Sequence, residues 1–358
     1  MLKSITNIYD GTHQTPKYTK SGVPFISVED VTQKSSKEQK YISEQDFHNN
    51  FRNPPQKGDI LMTRIGDIGT PCIVPTNEAL GYYVSLALIR PFEKLQSCFL
   101  NYVIQSNSFK RELYKRTIHV AFPQKINKED IGKCKLDVPS IEEQNRIGDL
   151  LSLIDERITT QKKIIEDLKK LKDAISLILF TSETCDKWEL SNLATIVMGQ
   201  SPSSQCYNTD NDGLPLIQGN LDITKGKLTP RLYSSEMTKK CHTGDVILTV
   251  RAPVGEVAIA DFDACIGRGV CAIRPFNNNY SVLIYQFLQH YKPKWISLEQ
   301  GSTFTSVSRN DIMSIKIGVP SIQAIEILNI LDDKISIEDG ILNNLNSQKN
   351  YLLAQMFI

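Results

Sequence analysis

The sequence predicts an α+β (mixed α/β) protein with two tandem, pseudo-symmetric globular domains joined by a long antiparallel coiled coil of two helices. Three observations support this prediction: short motifs occur twice, each repeated part is rich in strands and turns, and each is followed by a long helical pattern. The repeat period of roughly 180 residues is far longer than a solenoid unit, so each copy is expected to have its own hydrophobic core. A chain of 358 residues is long enough for two such domains.

The repeat consists of four pairs of motifs. In chain order they are Leu2, Ile5, Ile8 and Gly11 with Leu190, Leu193, Ile196 and Gly199; Gly58-Asp59-Ile60-Leu61 with Gly244-Asp245-Val246-Ile247; Arg90-Pro91-Phe92 with Arg274-Pro275-Phe276; and Val138-Pro139-Ser140-Ile141 with Val319-Pro320-Ser321-Ile322. The offset between the copies falls from 188 to 181 along the chain, as expected when loops differ by short insertions and deletions. Two similar domains on one chain suit a target that itself has two parts.

The same patterns divide the chain into five segments. They are a first domain over 1–140, a first helix over 141–180, a linker over 181–186, a second domain over 187–320 and a second helix over 321–358. Inside the domains, turns at Gly58-Asp59 and Gly244-Asp245 precede apolar runs that indicate buried strands. Further helices are predicted near 97–116 and 281–299.

The segment after each domain has the spacing of a coiled coil. Ser140 with Glu142 and Glu143 indicates a helix start, because a hydroxyl cap and acidic residues stabilise the first turn. The apolar positions then alternate by three and four residues, with a phase slip after the fourth: Ile147, Leu151, Ile154, Ile158, Ile164, Leu168, Leu171, Ile175 and Ile178. The second helix has one heptad frame: Leu328, Leu331, Ile335, Leu342, Leu345, Leu352 and Met356, with the polar Glu338 and Lys349 in it.

Each of these helices is longer than one small domain can cover, since about 38 residues extend over roughly 57 Å. We therefore expect the two helices to pair with each other. An antiparallel pair would hold the two domains at opposite ends of a rod.

The composition is that of an ordinary globular protein, with 41% hydrophobic and 23% charged residues. No apolar run reaches the roughly 18 residues of a membrane span, and the N-terminal residues lack the apolar core of a signal peptide, so a cytoplasmic protein without a membrane partner is expected. The cysteines lack zinc-site spacing and are predicted to be free thiols: Cys72, Cys98, Cys134, Cys185, Cys206, Cys241, Cys265 and Cys271. No metal or cofactor is expected.

The net charge of +1 argues at first against nucleic acid, but its distribution changes that conclusion. Residues 1–140 hold 19 Lys and Arg against 14 Asp and Glu, and residues 187–320 hold 13 against 11. The helical segments and the linker are slightly acidic. Two mildly basic domains on a neutral frame fit two parts that touch DNA.

The chain resembles the specificity subunit of type I restriction-modification systems along essentially its whole length. The most specific residues are those at the first domain–helix junction and along the helix: Gln124-Lys125-Ile126-Asn127, Ile131, Val138-Pro139-Ser140-Ile141-Glu142-Glu143-Gln144, Ile147, Ile154-Asp155, Ile158, Leu168, Leu171-Lys172 and Phe180. Asp186-Lys187-Trp188-Glu189-Leu190 resembles the entry into a target-recognition domain of that family. Two departures are a first domain without a counterpart of Trp188, and a second junction without the Glu-Gln pair.

The resemblance implies a non-catalytic subunit that binds double-stranded DNA. It implies target-recognition domains at 1–140 and 187–320, each reading one half-site, and spacer helices that set the gap between the half-sites. Two methyltransferase subunits would dock on this subunit, and motor-nuclease subunits would join for restriction. The expected subunit-binding residues lie at the start of the first helix: Glu143, Gln144, Ile147, Leu151, Ile154 and Ile158.

Candidate DNA-contacting residues are polar or basic side chains in turn-rich surroundings. A first group is the loop after the opening apolar stretch of each copy: Thr12, His13, Gln14, Lys17 and Tyr18, and Gln200, Ser201 and Ser203. Gln can pair with adenine, and Ser or Thr with bases or phosphates. A solvated surface loop is the alternative interpretation.

Two further groups are basic or hydroxylated. Arg64 and Arg251 follow buried strands and are candidates for reading guanine, with a plain salt bridge as the alternative. Residues just before the helix junctions are candidates for phosphate contact: Lys125 and Lys128, and Thr303, Thr305 and Arg309.

Motifs of enzymes are weak in this chain. Asn53-Pro54-Pro55-Gln56 lacks the aromatic residue that follows Asn-Pro-Pro in amino-methyltransferases, and a proline turn explains it better. No G-x-x-x-x-G-K-[ST] loop is present, and Asp30 with Glu38 and Lys40 is a poor nuclease set, because Ser35-Ser36-Lys37 is polar where a buried strand is required. Two other hypotheses stay open: a coiled-coil scaffold whose repeated domains bind other partners, and a self-sufficient methyltransferase.

Overall fold

The structure is a computed structural model that describes residues 1–14, 16–32, 39–182, 186–301 and 306–357, without the side chains of 296–301. It divides into two compact units. Unit 1 comprises Met1–Lys162 with Gly340–Ile358, and unit 2 comprises Lys163–Asp339. This division differs from the five predicted segments, because each unit contains one globular part together with a portion of both long helices.

Unit 1 begins with a 3-10 turn at Leu2–Ser4 and continues through eight strands and five short helices among its described residues. The strands are β1 Thr6–Asp10, β2 Tyr18–Thr19, β3 Val23–Ile26, β4 Lys40–Ile42, β5 Ile60–Ile65, β6 Asp67–Ile73, β7 Gly81–Tyr82 and β8 Leu86–Pro91. The helices are α1 Val28–Val31, α2 Glu44–Asn50, α3 Ser97–Gln105, α4 Asn107–Tyr114 and α5 Lys128–Gly132, followed by the long α6, Ile141–Thr181.

Two sheets form the globular part of unit 1. One is antiparallel, in the order β1-β8-β5-β6, and the other has the order β2-β4-β3-β7 with β3 and β7 parallel. Ile60 and Met62 of β5 face a core shared with α3 and α4, whereas Leu61 faces a second core with Phe25 and Tyr82. The central sheet is therefore covered on both faces, which explains why its strands read as continuous apolar runs.

Unit 2 repeats this plan with more strands. They are β9 Lys187–Glu189, β10 Ala194–Met198, β11 Tyr207–Asn208, β12 Leu214–Ile217, β13 Ile223–Thr224, β14 Lys227–Leu228, β15 Leu232–Ser234, β16 Lys240–Cys241, β17 Val246–Thr249, β18 Val257–Ile259, β19 Ala264–Ile266, β20 Val270–Pro275 and β21 Lys316–Gly318. The helices are α7 Asn279–Gly301, α8 Arg309–Met313 and the long α9 Ile322–Met356, with 3-10 turns at Leu190–Asn192, Ser204–Cys206 and Asn220–Asp222.

The two main sheets of unit 2 repeat the strand order and register of those in unit 1, and the second of them has one additional strand, β16. The antiparallel sheet β10-β20-β17-β18 corresponds to β1-β8-β5-β6, and the sheet β11-β15-β12-β19-β16 again contains one parallel pair, β12 with β19. Ile60 pairs with Ile89 in unit 1, and Val246 pairs with Ile273 in unit 2. The predicted mixed fold with two repeated domains is thus confirmed.

In each unit, the arginine of the Arg-Pro-Phe motif forms a bidentate ion pair with the aspartate of the Gly-Asp motif. Arg90 donates from Nε and Nη2 to the carboxylate of Asp59, at 3.0 and 2.7 Å. Arg274 and Asp245 repeat this contact at 3.1 and 2.9 Å. Both aspartates are buried, so each ion pair fixes the turn before β5 or β17 to the end of β8 or β20.

The heptad frame predicted for the second helix agrees with the burial of α9. Leu328, Glu338 and Leu345 are buried, and the other positions of the frame are half-buried. The helix runs through Gly340 without a break.

The phase slip predicted for α6 is wrong. Ile164, Leu171 and Ile178 are exposed, whereas the heptad continues without interruption through Leu151, Ile158, Ile165 and Lys172, which are all buried. The apolar pattern suggested a slip because a lysine occupies one position of this frame.

In each unit the two long helices run antiparallel against each other. In unit 1, Asp155 of α6 meets Lys349 of α9, and Leu151 lies earlier on α6 in one cluster with Leu353, later on α9. In unit 2, Lys172 meets Asp332, and Phe180 lies in one core with Ile325 and Leu328. The predicted pairing of the two helices is therefore present within each unit.

No helix in the described part of the chain is both long and apolar enough to cross a membrane.

Candidate nucleic-acid interface

The opening loop of unit 1 presents several of the predicted residues. His13, Gln14, Lys17 and Tyr18 are exposed. Thr12 is buried, and its hydroxyl donates to the carbonyl of Gln14, at 3.2 Å, so it shapes the loop. The exposed members form a polar surface with a basic contribution.

Tyr18 is held beside two neighbours. Its ring lies edge-on to Phe25, with 5.9 Å between centroids, and Lys40 Nζ is 5.2 Å from its centroid. With 45% of Tyr18 exposed, the aromatic face and the ammonium group are presented together. Such a pair suits contact with a base or sugar and its phosphate.

Arg64 requires a correction. Its side chain is only 9% exposed, and Nη2 lies 3.1 Å from the carboxylate of Asp10. Nε donates to the carbonyl of Val84 at 2.8 Å, and Nη1 to that of Ile126 at 3.3 Å. The guanidinium is therefore occupied inside unit 1, as the salt-bridge interpretation expected, and it cannot reach a base.

The pairing of strands also shows that Arg64 and Arg251 are not equivalent. Thr63 pairs with Leu86, and Thr249 pairs with Val270. The residue after Thr63 is Arg64, whereas Arg251 is the second residue after Thr249. Val250 therefore corresponds to Arg64, and the buried arginine has an apolar counterpart.

Near the end of the first domain, Lys125 is exposed while Lys128 is partly engaged. Lys128 opens α5, and its Nζ is 3.4 Å from Asp10, which it shares with Arg64. Arg309 opens α8 in unit 2, as Lys128 opens α5, and is exposed. Thr303 and Thr305 lie outside the described residues.

In unit 2, two of the predicted residues line one groove. Ser201 and Arg251 contribute to a groove of about 650 Å³, with Gln200 and Ser203 exposed in the same loop. Among the other polar residues that line it, sequence reasoning missed Gln218, Asn220 and Arg268. The isolated position of Arg268 between Gly267 and Gly269 is a turn signal that could have indicated it.

The residues expected to bind another subunit are largely used within unit 1. The Gln144 side chain is buried, accepts from the backbone of Gln96 at 2.9 Å and donates to the carbonyls of Lys94 and Pro139 at 3.0 Å. It therefore anchors the start of α6 to the globular part. Leu151 and Ile158 are also buried.

These burials correct the expectation for Gln144, Leu151 and Ile158, because a partner cannot reach side chains enclosed by the chain's own atoms. Ile147 and Ile154 are half-buried in the helix-pair cluster, and Glu143 is exposed. Glu143 is the member of this group that is open to a partner.

A polar cluster joins the helix pair to the globular part in each unit. In unit 1, Lys349 lies 2.7 Å from Asp155 and donates to Gln105 at 3.1 Å, and the hydroxyl of Tyr102 donates to Asp155 at 2.9 Å. Because burial and the neighbouring carboxylate both favour the neutral phenol, the pKa of Tyr102 is raised well above its usual range.

Unit 2 repeats this cluster with a glutamine in place of the tyrosine. Lys172 lies 2.6 Å from Asp332 and donates to Gln289 at 3.0 Å, and Gln286 donates to Asp332 at 2.7 Å. Asp155, Lys172 and Lys349 pair with residues that are far away in the chain, and sequence spacing alone does not predict these pairs.

No cluster of His, Cys, Asp or Glu suited to a metal ion is present among the described residues. The candidate interface consists of basic, amide, hydroxyl and aromatic groups, and these groups are typical of nucleic-acid contact.

Comparisons with known proteins match both units. A family model described as the type I restriction modification DNA specificity domain matches residues 2–170 and again 183–347. A relative from Methanocaldococcus jannaschii that carries the name of a type I restriction enzyme (MjaX) specificity subunit is 32% identical over 314 residues, covering 78% of this chain and 73% of its own. Another from that organism, named as the MjaVIII specificity subunit, is 29% identical over 126 residues, 35% of this chain and 28% of its own.

Two solved structures share the fold. The S subunit of a type I restriction-modification system from M. genitalium aligns with a TM-score of 0.66 at 17% identity, covering 100% of this chain and 95% of that chain. A chain from work on the assembly and conformational transition of a type I system aligns with a TM-score of 0.63 at 22% identity, covering 98% and 95%.

Proposed function

Since the chain belongs to the type I restriction-modification DNA specificity family, we propose that it is the DNA-recognition subunit of a type I restriction-modification complex. Each globular part reads one half of a bipartite sequence in double-stranded DNA. The observation that carries this proposal is a single backbone frame present twice, with the same strand register and ion pairs but different exposed side chains. Such a design suits recognition of two different half-sites.

The target-recognition domains are assigned to 1–140 and 187–320, and the spacer helices to 141–180 and 321–358. The antiparallel contacts of α6 with α9 in each unit support a spacer that sets the gap between half-sites. Half-sites of DNA-binding proteins are separated by about one helical turn, roughly 34 Å, or multiples of it.

The DNA-contacting residues of this proposal are the candidates whose side chains are exposed or half-buried, together with two candidates outside the described part of the chain. They are His13, Gln14, Lys17, Tyr18, Lys125 and Lys128 in the first domain, and Gln200, Ser201, Ser203, Arg251 and Arg309 in the second, with Thr303 and Thr305 retained from the sequence. Their hydroxyl, amide and cationic groups are those that contact phosphates and base edges.

The chain has no catalytic role of its own in this proposal. Two methyltransferase subunits dock on it, and motor-nuclease subunits join for restriction in the cytoplasm. Large apolar side chains on the outer faces of the long helices support docking of partners: Leu150, Leu153, Ile164, Leu171 and Leu177 on α6, and Ile327, Ile330, Ile337, Ile341 and Tyr351 on α9.

Footprinting of the full chain on genomic or randomised duplex DNA tests the proposal. We expect two protected half-sites separated by an unprotected gap, with affinity that falls steeply as salt rises. Binding without sequence preference would overturn the proposal in favour of a scaffold protein. Binding of S-adenosylmethionine by the purified chain would instead favour a self-sufficient methyltransferase.

A further inference from the structure

A groove in unit 2 collects cationic and amide side chains without a carboxylate. Its polar lining includes Arg251, Arg268, Gln218 and Asn220, and no Asp or Glu is among the described residues that line it. Both arginines are exposed, and neither forms an ion pair within the described part of the chain. Two guanidinium groups in one groove attract an anion, and no acidic side chain in its lining satisfies them.

The walls of the groove are held by buried contacts that do not use these side chains. The buried carboxylate of Asp222 accepts from the backbone of Gln218 at 2.8 Å and of Gly219 at 3.3 Å, and binds Arg231 Nε at 2.9 Å. These bonds fix the turn that presents Gln218 and Asn220.

The turn with Arg268, which also lines the groove, is packed tightly. The backbone of Arg268 donates to Ser201 Oγ at 3.1 Å, and the backbone of Gly267 donates to Ile217 at 2.8 Å. A Cβ at Gly269 would lie 2.1 Å from the carbonyl oxygen of Gln218. The backbone under the arginine is thus rigid, which is what a specific reader of bases requires.

Unit 1 has the same frame but not the same groups. By strand register, Ile65 corresponds to Arg251 and Val84 corresponds to Arg268. The fold therefore does not need a cation at either position. The two domains share one backbone frame, but only the second has these cations. We therefore attribute the cations to a function in which the two domains differ.

We propose that this groove reads guanine in the second half-site, with Arg251 and Arg268 as the specificity-determining side chains and Gln218 and Asn220 as neighbours that contact adenine or the adjoining backbone. The inference rests on the proposed function and adds to it the chemistry of one half-site. Arginine matches the N7 and O6 acceptors of guanine with two parallel hydrogen bonds, whereas lysine supplies the charge without that geometry.

Selection of bound duplexes from a randomised pool by the full chain tests this. The variants are Arg251→Lys and Arg268→Lys, which keep the charge, and the control is Lys316→Ala, which removes an exposed cation that does not line the groove. We expect each arginine variant to lose the preference for guanine at one half-site only. Affinity for the wild-type site should fall about tenfold to a hundredfold. The sequence preference at the other half-site should stay unchanged, which would show that the variant is folded.

Two outcomes overturn the inference while leaving the proposed function intact. If both lysine variants select the wild-type sequence with wild-type affinity, the groove does not read bases. If Arg251→Ala and Arg268→Ala weaken binding to all sequences equally while the lysine variants do not, the arginines contact phosphates only. The proposed function itself fails if the wild-type chain selects no bipartite sequence.

Discussion

Lys349 and Asp155, 2.7 Å apart, join the two long helices in unit 1, and Lys172 and Asp332, 2.6 Å apart, make the matching contact in unit 2 with the charges on exchanged helices. In each pair the lysine also reaches a glutamine of the globular part. One cluster therefore sets the register of the helix pair and attaches it to the fold. A polar group at a seam position is the known means of fixing register in coiled coils.

Removing this contact should destabilise its own unit. Lys349→Met leaves Asp155 partly buried with only Tyr102 as a partner, at an expected cost of about 1–2 kcal/mol in the free energy of unfolding. Chemical denaturation monitored by circular dichroism measures it. Lys170→Met is the control, because the Lys170–Glu166 pair lies along α6 with both side chains exposed, so its loss should leave stability unchanged. Equal stability of the two variants would contradict the role of the cluster.

Breaking the buried Arg–Asp ion pair of the repeated motifs should destabilise the protein more than breaking the Lys349–Asp155 contact. Asp59→Asn removes the charge that holds Arg90 at the end of β8, and we expect a loss of about 2–4 kcal/mol in the free energy of unfolding. Asp245→Asn should have a similar effect in unit 2. Asp261→Asn, at an exposed position, is the matched control for both. A wild-type denaturation midpoint for Asp59→Asn would show that the ion pair is dispensable.

Substitutions of Arg64 and Arg251 should have different effects, the first on stability and the second on DNA binding. Arg64→Ala leaves the charge of Asp10 with only Lys128, so we expect a loss of about 2–3 kcal/mol in stability. Arg251→Ala should leave stability within about 0.5 kcal/mol of wild type, because the side chain is exposed, yet weaken binding to the cognate duplex. Melting and DNA binding are measured on the same preparations. If Arg64→Ala left stability unchanged and Arg251→Ala reduced it, the buried position of Arg64 and the exposed position of Arg251 would be refuted.

Shortening the helix pair should change the permitted gap between half-sites. Deleting one heptad from both α6 and α9 preserves the seam and removes about 10.5 Å of helix, equivalent to roughly three base pairs. Footprints should then show the same half-sequences with a shorter gap. A deletion of three residues from α6 alone serves as the control, since it breaks the heptad frame and should abolish binding. An unchanged gap after the paired deletion would contradict the spacer role.

The sequence alone predicts more of the fold than of the candidate site. The duplicated motifs predict the repeat, and the apolar spacing predicts the heptad frame of α9 together with its polar positions Glu338 and Lys349. For α6 the same spacing predicts a wrong frame after Ile158, because Lys172 occupies a buried position that a count of apolar residues leaves out. A lysine is tolerated there only because Asp332 and Gln289 neutralise and solvate it, and both are far away in sequence.

The candidate residues illustrate the same limit. A loop rich in Thr, His and Gln indicates a polar surface, and most of its members are exposed. Whether an arginine after a strand faces solvent or the interior depends on its partners. Arg64 forms an ion pair with Asp10. Arg251 lies one position further along the shared strand register and forms no ion pair among the described residues.

The linear order of residues by itself determined two copies of one mixed domain, each followed by a helix with an apolar seam, because duplication and periodicity are local properties of a chain. Tertiary structure alone decided which charged residues are structural and which stay exposed, since burial and pairing depend on groups brought together from distant positions. Arg268 shows this most clearly: in the sequence it is one residue of a glycine turn, and only the fold brings it into the same groove as Arg251.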